Sequence, residues 1–275
     1  MRLFNQVAII GVGLIGGSLG LSIKKKRLAD KVIGVSRHKK TLFLAKKSRA
    51  IDEGAQEIKV IKDADLVIFA TPVNTILKLA PLVAKIIKPG CIVTDVGSTK
   101  KEIVVKLDKI FKQFVGSHPL AGSEKRGILY AHADIFKDSL CLLTPSKKTN
   151  LAALAKIKKL WSRLGAKTVI LSPENHDQVL SFTSHLPHIL AFALLDIVPA
   201  RYLGFASSGL KDTTRIAASD SQLWTDIILT NAKNIIQAID LFEGNLEKMK
   251  KAIRRQDRKL LFKILKKAKS RREAL

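Results

Sequence analysis

Glycines recur close to the amino terminus, directly after the apolar run Val7–Ile10. Gly11 can make the tight turn that ends a strand, a Cβ at Gly13 would keep a phosphate away from the backbone, and Gly16 lets the next helix pack close to that strand. The positive amino end of such a helix attracts phosphates. The strand, loop and helix pattern together predict a dinucleotide-binding loop. Its predicted cofactor-binding residues are Gly11, Gly13, Leu14, Ile15 and Gly16.

The end of the next predicted strand indicates which dinucleotide fits. An NAD site usually places Asp or Glu there, about twenty residues after the glycines, to bind the ribose 2′-hydroxyl. This chain has Ser36 and Arg37 at that point, followed by His38 and Lys39, and no acid. A hydroxyl and a guanidinium can both bind a 2′-phosphate. The residues therefore favour NADP, with NAD as the alternative, and a solvated basic loop is the other interpretation.

Polar residues follow three further predicted strands, at the edge where an α/β sheet binds its ligands. Thr71 and Pro72 come after the first and are predicted to contact the cofactor. Ser98 comes after the second, and His118 ends the third. The residue before a proline is held extended, so Pro119 should fix His118 at the sheet edge. On these grounds alone His118 is either a catalytic or a structural histidine.

The second half of the chain adds two polar clusters. His185 and His188 lie three residues apart in a segment, Thr183–His188, that is predicted to begin a helix. No glutamate accompanies them in a zinc-binding pattern, so we expect no metal site. Lys211 and Arg215 end a predicted loop before the next helix. Taken alone, Arg215 would be one more surface charge.

The elements that must position these residues follow from the apolar pattern. Up to Leu171, short apolar runs alternate with helical patterns, which is the order expected of a parallel sheet. Several runs are apolar without alternation, as in strands covered on both faces. A capping box formed by Thr99 and Glu102 is expected to open one of the helices. The predicted strands are Val7–Ile10, Val32–Val35, Leu66–Ala70, Ile92–Val96, Phe114–Ser117, Leu140–Thr144 and Thr168–Leu171, and two of the helices are Lys101–Phe111 and Leu151–Leu164.

Beyond Leu171 the strand pattern stops and the sequence predicts helices. Ser172 and Pro173 are typical of a helix start. The predicted fold is α/β, with a Rossmann-type, doubly wound parallel sheet over residues 1–171 and an all-α helical domain over residues 172–275. The other expected elements are a loop around Gly204–Gly209, a helix over Ser221–Phe242 capped by Asp220 or Ser221, and a last helix over Leu246–Lys269 with Ile253, Leu260, Leu261, Ile264 and Leu265 on one face.

Composition bounds the classes of function. The chain has 275 residues, 47% of them apolar and 26% charged, so it can bury a large core. Cys91 and Cys141 lie in apolar runs and are typical of a reduced, cytoplasmic protein. No apolar run approaches the roughly 20 residues of a bilayer span, so we expect neither a membrane anchor nor a signal peptide.

The net charge of +26 leaves a nucleic-acid-binding protein as an alternative from a different class. Such proteins usually combine positive charge with exposed aromatic side chains, and aromatic residues make up only 5% of this chain. The lysines are spread over the whole sequence, so a lysine-rich proteome or attraction of anionic substrates explains them better.

Five motifs stand in a defined order along the chain: Gly11–Ser18, Gly97–Lys100, Ser117–Glu124, Ser184–His188 and Asp212–Ala217. Together they resemble the prephenate/arogenate dehydrogenases, the cyclohexadienyl dehydrogenases of tyrosine biosynthesis, over the chain up to about Phe242. The resemblance implies NAD(P)-dependent oxidative decarboxylation, of arogenate to tyrosine or of prephenate to 4-hydroxyphenylpyruvate. It also implies that the helical domain binds substrate and forms a homodimer.

The same resemblance assigns roles residue by residue. His118 matches the family's catalytic histidine, which hydrogen-bonds the substrate's 4-hydroxyl, and Ser98 matches the serine beside that hydroxyl and the nicotinamide. Arg215 matches the arginine that binds a substrate carboxylate, with Lys211 and His185 helping in the same pocket. The positions that match the lining or entrance of the pocket are Glu124 and Trp224.

Two questions stay open at this point. A β-hydroxyacid dehydrogenase also combines a Rossmann domain with helices, although it relies on a lysine in the helical part, and the Ser117–Glu124 and Asp212–Ala217 motifs speak against it. The choice between prephenate and arogenate is undecided, because the two substrates differ at one side-chain carbon. The basic end, Lys248–Arg272, lies outside the family motifs and is expected to be dispensable for chemistry.

Overall fold

The computed structural model describes residues 2–274, which form one sheet followed by a group of helices. The strands are β1 Phe4–Ile10, β2 Ala29–Val35, β3 Glu53–Ala55, β4 Leu66–Phe69, β5 Ile92–Asp95, β6 Phe114–Pro119, β7 Leu140–Thr144 and β8 Lys167–Ile170. The α-helices among these strands are α1 Leu14–Lys25, α2 Lys39–Lys47, α3 Val73–Ala84, α4 Lys101–Ile110 and α5 Leu151–Leu164. The α-helices beyond β8 are α6 Pro173–Leu180, α7 Leu186–Asp196, α8 Ser208–Thr214, α9 Ser221–Thr230, α10 Ala232–Arg254 and α11 Arg258–Glu273.

The strands lie side by side in the order β3-β2-β1-β4-β5-β6-β7-β8. The chain leaves β1 in one direction and returns on its other side at β4, and this reversal opens the crevice in which doubly wound sheets bind ligands. The predicted Rossmann-type fold is confirmed. Because β1, β4, β5 and β6 are parallel, the loops that follow them meet at one edge.

The sheet departs from the prediction in two places. Strand β3 has no apolar run, so hydrophobic pattern alone could not find it. Strand β7 is antiparallel to β6, so the sheet is not parallel throughout. The segment between β6 and β7 holds only the 3₁₀ turn Ile128–Tyr130 and no crossover helix, and without a crossover a strand can return only in the opposite direction.

Side chains alternate between two hydrophobic layers along the central strand. Val7 and Ile9 enter the layer that contains Trp161, whereas Ala8 and Ile10 enter the layer that contains Phe69. Each layer packs against helices, so the interior strands are buried on both faces, as their continuous apolar runs predicted. Cys91 and Cys141 are both buried and unpaired among the described residues.

The first helices after the sheet form one continuous helical run. Ser172 caps α6 by accepting the backbone N–H of Asn175, and Pro173 occupies its first turn, as predicted. Helices α6 and α7 are joined by a π turn over Ser181–His185. The expected helix start at Thr183–His188 is therefore wrong, because these residues lie in the middle of a continuous helix.

That continuous helix, Pro173–Asp196, is apolar and long enough to cross a membrane by length and composition alone. Polar residues divide this helix, so it contains no uninterrupted apolar run long enough to be recognised as a membrane span. One such helix is weak evidence for a membrane, since a helix that packs against other protein has the same composition. Only 22% of its most apolar stretch of 18 residues is buried within one chain.

The later helices also differ from their predicted bounds. The expected loop around Gly204–Gly209 is a 3₁₀ turn, Ala200–Phe205, followed by α8. The predicted helix Ser221–Phe242 is broken at Asn231 into α9 and α10, and its cap is Asp220, which accepts the N–H of Leu223.

The predicted helix over Leu246–Lys269 is wrong, because it is interrupted near residue 256. Helix α10 ends at Arg254, Gln256 adopts a left-handed φ of 50°, and Asp257 caps α11 by accepting the N–H of Leu260. The break separates Ile253 from the apolar residues of α11, so they do not share one helix face. None of the residues in α11 is buried.

Candidate active site

The glycine loop after β1 is built for a close backbone approach. Gly11 has a left-handed φ of 98°, and a Cβ there would lie 2.5 Å from the carbonyl oxygen of Ala70. A Cβ on Gly16 would lie 1.8 Å from the carbonyl oxygen of Gly11, so this glycine lets α1 pack against the loop. A Cβ on Gly13 would meet nothing within 4 Å, which leaves open space in front of the loop. The loop therefore has the turn, the close packing and the room that a pyrophosphate requires.

The amino end of α1 points its backbone N–H groups at this open space. Helix α1 starts at Leu14 and Ile15, with no side-chain cap at Gly13 and no acidic residue in its first turn. Nearby, the Thr71 hydroxyl is buried and has no hydrogen-bond partner among residues 2–274. Pro72 follows it as the exposed residue that precedes α3. An uncapped helix end and an unpartnered hydroxyl together fit a bound dinucleotide.

The end of β2 presents the two residues that favoured NADP. Ser36 receives the backbone N–H of His38 on its hydroxyl oxygen, at 3.3 Å. The Arg37 backbone carbonyl accepts the side-chain amide of Gln56, at 2.7 Å, and its exposed guanidinium forms no ion pair within residues 2–274. The guanidinium is therefore available to an anionic ligand.

The loop that carries Ser98 is held by a buried ion pair. The Lys100 ammonium contacts the Asp95 carboxylate, and both side chains are fully buried. Asp95 also accepts the N–H of Gly97 at 2.8 Å, and Lys100 donates to the carbonyl oxygen of Ser117 at 2.9 Å. These bonds tie the loop after β5 to the strand that ends with His118, and Ser98 remains partly exposed between them.

His118 is hydrogen-bonded to residues that lie far away in the sequence. Its Nδ1 lies 2.9 Å from Nε2 of His176, and Nδ1 of His176 lies 2.8 Å from a carboxylate oxygen of Asp177. His176 and Asp177 are almost fully buried on α6, whereas His118 is only partly buried on β6. A chain of three polar side chains therefore runs from the sheet edge into the protein.

Asp177 also closes the amino end of α4. Its two carboxylate oxygens accept the backbone N–H groups of Lys100 and Lys101, at 2.7 and 3.0 Å. The predicted capping box of Thr99 and Glu102 is therefore wrong. The Thr99 hydroxyl instead contacts the hydroxyl of Thr230 at 2.9 Å, because α9 packs close enough to take it.

Burial governs the protonation of the histidines in this region. Burial lowers the pKa of His118 well below its usual value, and the neighbouring His176 and the Lys100 ammonium lower it further. Burial also lowers the pKa of His176, against the opposing effect of its hydrogen bond to Asp177. For His185 burial lowers the pKa to about 4. All three imidazoles are therefore neutral at pH 7, the form in which a histidine can accept a proton.

His185 is placed inside the protein rather than on an open wall. It is 1% exposed, and its Nδ1 lies 3.0 Å from the Asn231 amide, which also donates to the carbonyl oxygen of Asp177. Asn231 thus links His185 to the His118 chain. The ring of His185 meets Trp224 edge-on, with centroids 6.0 Å apart.

The neighbouring His188 was predicted only as part of a motif. Its ring stacks on Trp224, with centroids 3.7 Å apart, and the Arg215 charge contributes to lowering its pKa, after burial. Arg215 is exposed and donates to the carboxylate of Glu124 at 2.9 Å. Lys211 lies one helical turn before Arg215 and is also exposed.

The structure thus connects most of the predicted site residues. The β6 loop approaches the dinucleotide loop, since a Cβ on Gly122 would lie 3.8 Å from the Ile15 side chain. Ser36 and Arg37 follow β2, at the same edge of the sheet as the glycine loop after β1. The sequence motifs did not include His176 and Asp177, which complete the polar chain behind His118. They also did not include Asn231, which links His185 to that chain. None of them belongs to a recognisable motif, and the bond between His118 and His176 spans 58 residues.

Two family models match nearly the whole chain. The nucleotide-binding domain of prephenate dehydrogenase matches residues 19–170, and the dimerization domain of prephenate dehydrogenase matches residues 172–267. The first match begins after the glycine loop, so the loop is an observation independent of that model.

Individual proteins agree with these matches. The chain is 37% identical to a prephenate dehydrogenase of Bacillus subtilis, over 98% of this chain and 76% of that protein. It is 34% identical to a cyclohexadienyl dehydrogenase of Zymomonas mobilis, over 100% of this chain and 97% of that protein. A crystal structure of prephenate dehydrogenase from A. aeolicus, in complex with hydroxyphenyl propionate and NAD+, superposes with a TM-score of 0.94 at 36% identity and covers 98% of both chains.

Proposed function

Because the chain belongs to the prephenate dehydrogenase family, it catalyses NAD(P)-dependent oxidative decarboxylation of a cyclohexadienyl substrate in tyrosine biosynthesis, and we propose that His118 is the base of this reaction. The observation that carries the proposal is a neutral histidine, partly buried at the sheet edge beside the dinucleotide loop. Burial keeps its imidazole unprotonated at pH 7, so it can accept the hydrogen of the substrate's 4-hydroxyl.

The residues present fit the cofactor. Residues Gly11–Gly16 would hold the NAD(P) pyrophosphate, and the bound dinucleotide would supply the acceptor for the hydride that leaves carbon 4 of the substrate. His118 accepts the proton of the 4-hydroxyl, which becomes more acidic as the hydride leaves. Ser98, on the adjacent loop, orients that hydroxyl. Loss of CO₂ from carbon 1 then leaves an aromatic ring, which makes the reaction effectively irreversible.

The substrate's negative charge needs a cationic partner. Arg215 presents an exposed guanidinium, which can bind a carboxylate through two parallel hydrogen bonds. In this proposal it exchanges Glu124 for the substrate carboxylate, and Lys211 adds a second positive charge one turn away. His185 acts from the interior through Asn231, since it is buried.

We propose NADP as the preferred dinucleotide. Ser36 and Arg37 stand where an NAD site usually has an acid, and the Arg37 guanidinium is free of ion pairs among the described residues. A free guanidinium beside the ribose favours a 2′-phosphate and gives NAD no comparable contact.

We propose that two subunits form a homodimer through the helices of residues 172–275, which include the matched dimerization domain. The Pro173–Asp196 helix is largely unburied within one chain although it is apolar. Exposed apolar area of this kind is usually covered by a partner. Light scattering that shows an active monomer of about 30 kDa would overturn this proposal.

The activity is tested by steady-state rates with prephenate and arogenate, each with NADP and NAD. Turnover of at least one substrate supports the assigned reaction, and the four rates together decide the substrate and cofactor preferences. Absence of turnover in all four combinations, with folded and dimeric protein, would contradict the assignment of the base and its pocket.

A further inference from the structure

The polar chain behind His118 has a direction that its hydrogen bonds determine. Asp177 receives two hydrogen bonds on its carboxylate, from the backbone N–H groups of Lys100 and Lys101, and one of the same oxygens lies 2.8 Å from Nδ1 of His176. A carboxylate has no hydrogen of its own to donate, so it can only accept from His176. His176 must therefore carry its hydrogen on Nδ1.

The state of His176 determines the state of His118. A neutral imidazole has one N–H and one bare nitrogen, so a hydrogen on Nδ1 of His176 leaves its Nε2 bare. This bare nitrogen can only accept, and the atom 2.9 Å away is Nδ1 of His118. His118 must then donate from Nδ1, which leaves the lone pair on its Nε2.

The reverse arrangement is unfavourable. If Nε2 of His176 donated, its Nδ1 would present a lone pair to the Asp177 oxygen at 2.8 Å. Double protonation of His176 would avoid this repulsion. Asp177 and Asp95 favour that cation, whereas complete burial and the Lys100 ammonium oppose it, and the net effect of these groups lowers the pKa of His176.

We infer that His176 is a positioning residue that, held by Asp177, fixes His118 as the Nδ1–H tautomer and presents its Nε2 lone pair to the substrate hydroxyl. This inference rests on the proposed role of His118 as the base. In the step itself, the O–H bond of the substrate breaks as an N–H bond forms at Nε2. The Nδ1–H hydrogen bond to His176 is kept throughout, so the ring does not need to turn.

The first experiment measures the tautomer directly, without turnover. Full-length protein labelled with ¹⁵N-histidine is studied by two-dimensional ¹⁵N–¹H correlation at pH 7, and the His118 signals are assigned by their loss in His118→Asn. We expect a protonated Nδ1 and an unprotonated Nε2 for His118. A protonated Nε2 with a bare Nδ1 in the free enzyme would overturn the inference, whatever the activity of any variant.

The second experiment separates positioning from packing. His176→Leu removes the acceptor and should lower kcat by about 10²-fold, with the substrate KM within roughly twofold of wild type. His176→Gln can accept from His118 with its amide oxygen and donate to Asp177, so it should recover at least tenfold of that loss. If Gln were no better than Leu, or if folded His176→Leu kept its kcat, the positioning role would be wrong.

The role of His118 as the base and its tautomer are refuted by different results. If His118→Asn remains active, the proposed base is wrong. If His118→Asn is inactive while His176→Leu is fully active, the base stands and the tautomer inference fails. Exposed His132, replaced by Leu, is the matched control and should leave kcat unchanged.

Discussion

The Asp177 carboxylate on α6 accepts the backbone N–H of Lys100 at the amino end of α4, at 2.7 Å and across 77 residues of sequence. One side chain thereby caps a helix of the sheet layer and holds the second histidine of the polar chain. The stability of the fold and the position of His118, the proposed base, are coupled through this carboxylate.

Replacing Asp177 should therefore lower the free energy of unfolding more than the loss of an ordinary helix cap does. Asp177→Ala removes a helix cap and leaves His176 with an unpaired buried N–H, and together these losses should lower the free energy of unfolding by about 3 kcal/mol. The matched control is Asp220→Ala, which removes the cap of α9 and an exposed ion pair and should cost about 1 kcal/mol. Urea denaturation measures both, and equal losses would contradict the double role.

His118→Asn should lower kcat by about 10²–10⁴ with little change in the KM of substrate, because its hydrogen bond strengthens in the transition state.

Burial lowers the pKa of His118, so the base stays unprotonated down through pH 6.5, and kcat/KM should fall only at more acidic pH. A histidine with its ordinary pKa of about 6.5 would lose activity nearer neutral pH. A pH profile with a midpoint at or above 6.5 would contradict it.

Arg215→Ala should raise the substrate KM by roughly ten- to a hundredfold, because the carboxylate it binds is present in substrate and transition state alike. The KM of the dinucleotide should stay nearly constant. Arg126→Ala provides the control, since Arg126 also forms an exposed ion pair, with Asp220. A change confined to the dinucleotide KM would show that Arg215 has another role.

Arg37→Ala should raise the KM of NADP by roughly tenfold or more and leave that of NAD unchanged, because one charge-assisted contact contributes about 1.5–3 kcal/mol. Lys46→Ala, an exposed cation on α2, should change neither value. A wild-type enzyme that prefers NAD would refute the assignment of this loop.

Acid should destabilise the fold through His185. Its folded pKa of about 4 lies below the ordinary value of 6.5, so the unfolded chain binds a proton between these values and the folded chain does not. The free energy of unfolding is therefore unaffected by the protonation of His185 above pH 6.5. It falls by up to about 3 kcal/mol as the pH drops toward 4. His185→Gln should lose correspondingly less on acidification, whereas His132→Gln should behave as wild type in urea denaturation at pH 7 and pH 4.5.

The sequence predicted the elements whose stability comes from local pattern. Apolar runs predicted β1, β4 and β5, and the Ser172–Pro173 start of α6 was predicted from its capping residues. Strand β3 could not be predicted, because a three-residue strand without apolar side chains has no periodic signal. The break at Gln256 was missed because the helical spacing of apolar residues continues on both sides of it.

The residues of the candidate site are likewise of two kinds, those that local motifs predict and those that only the packing of distant elements brings together. Gly11, His118 and Arg215 lie in motifs, so their types and spacing predicted them. His176 and Asp177 lie in an ordinary helical segment, and their relation to His118 exists only once α6 packs against the end of β6. A capping box at Thr99 satisfied the local rule, yet the carboxylate of a distant helix took its place.

The stack of His188 on Trp224 gives the enzyme an optical readout. The chain contains two tryptophans, and the other, Trp161, is buried in the sheet core against Phe136. A Trp161→Phe variant would therefore carry a single tryptophan, stacked on the histidine whose pKa the Arg215 charge helps to lower. Its emission would follow occupancy of the pocket in real time, so binding could be timed separately from the absorbance change that accompanies turnover.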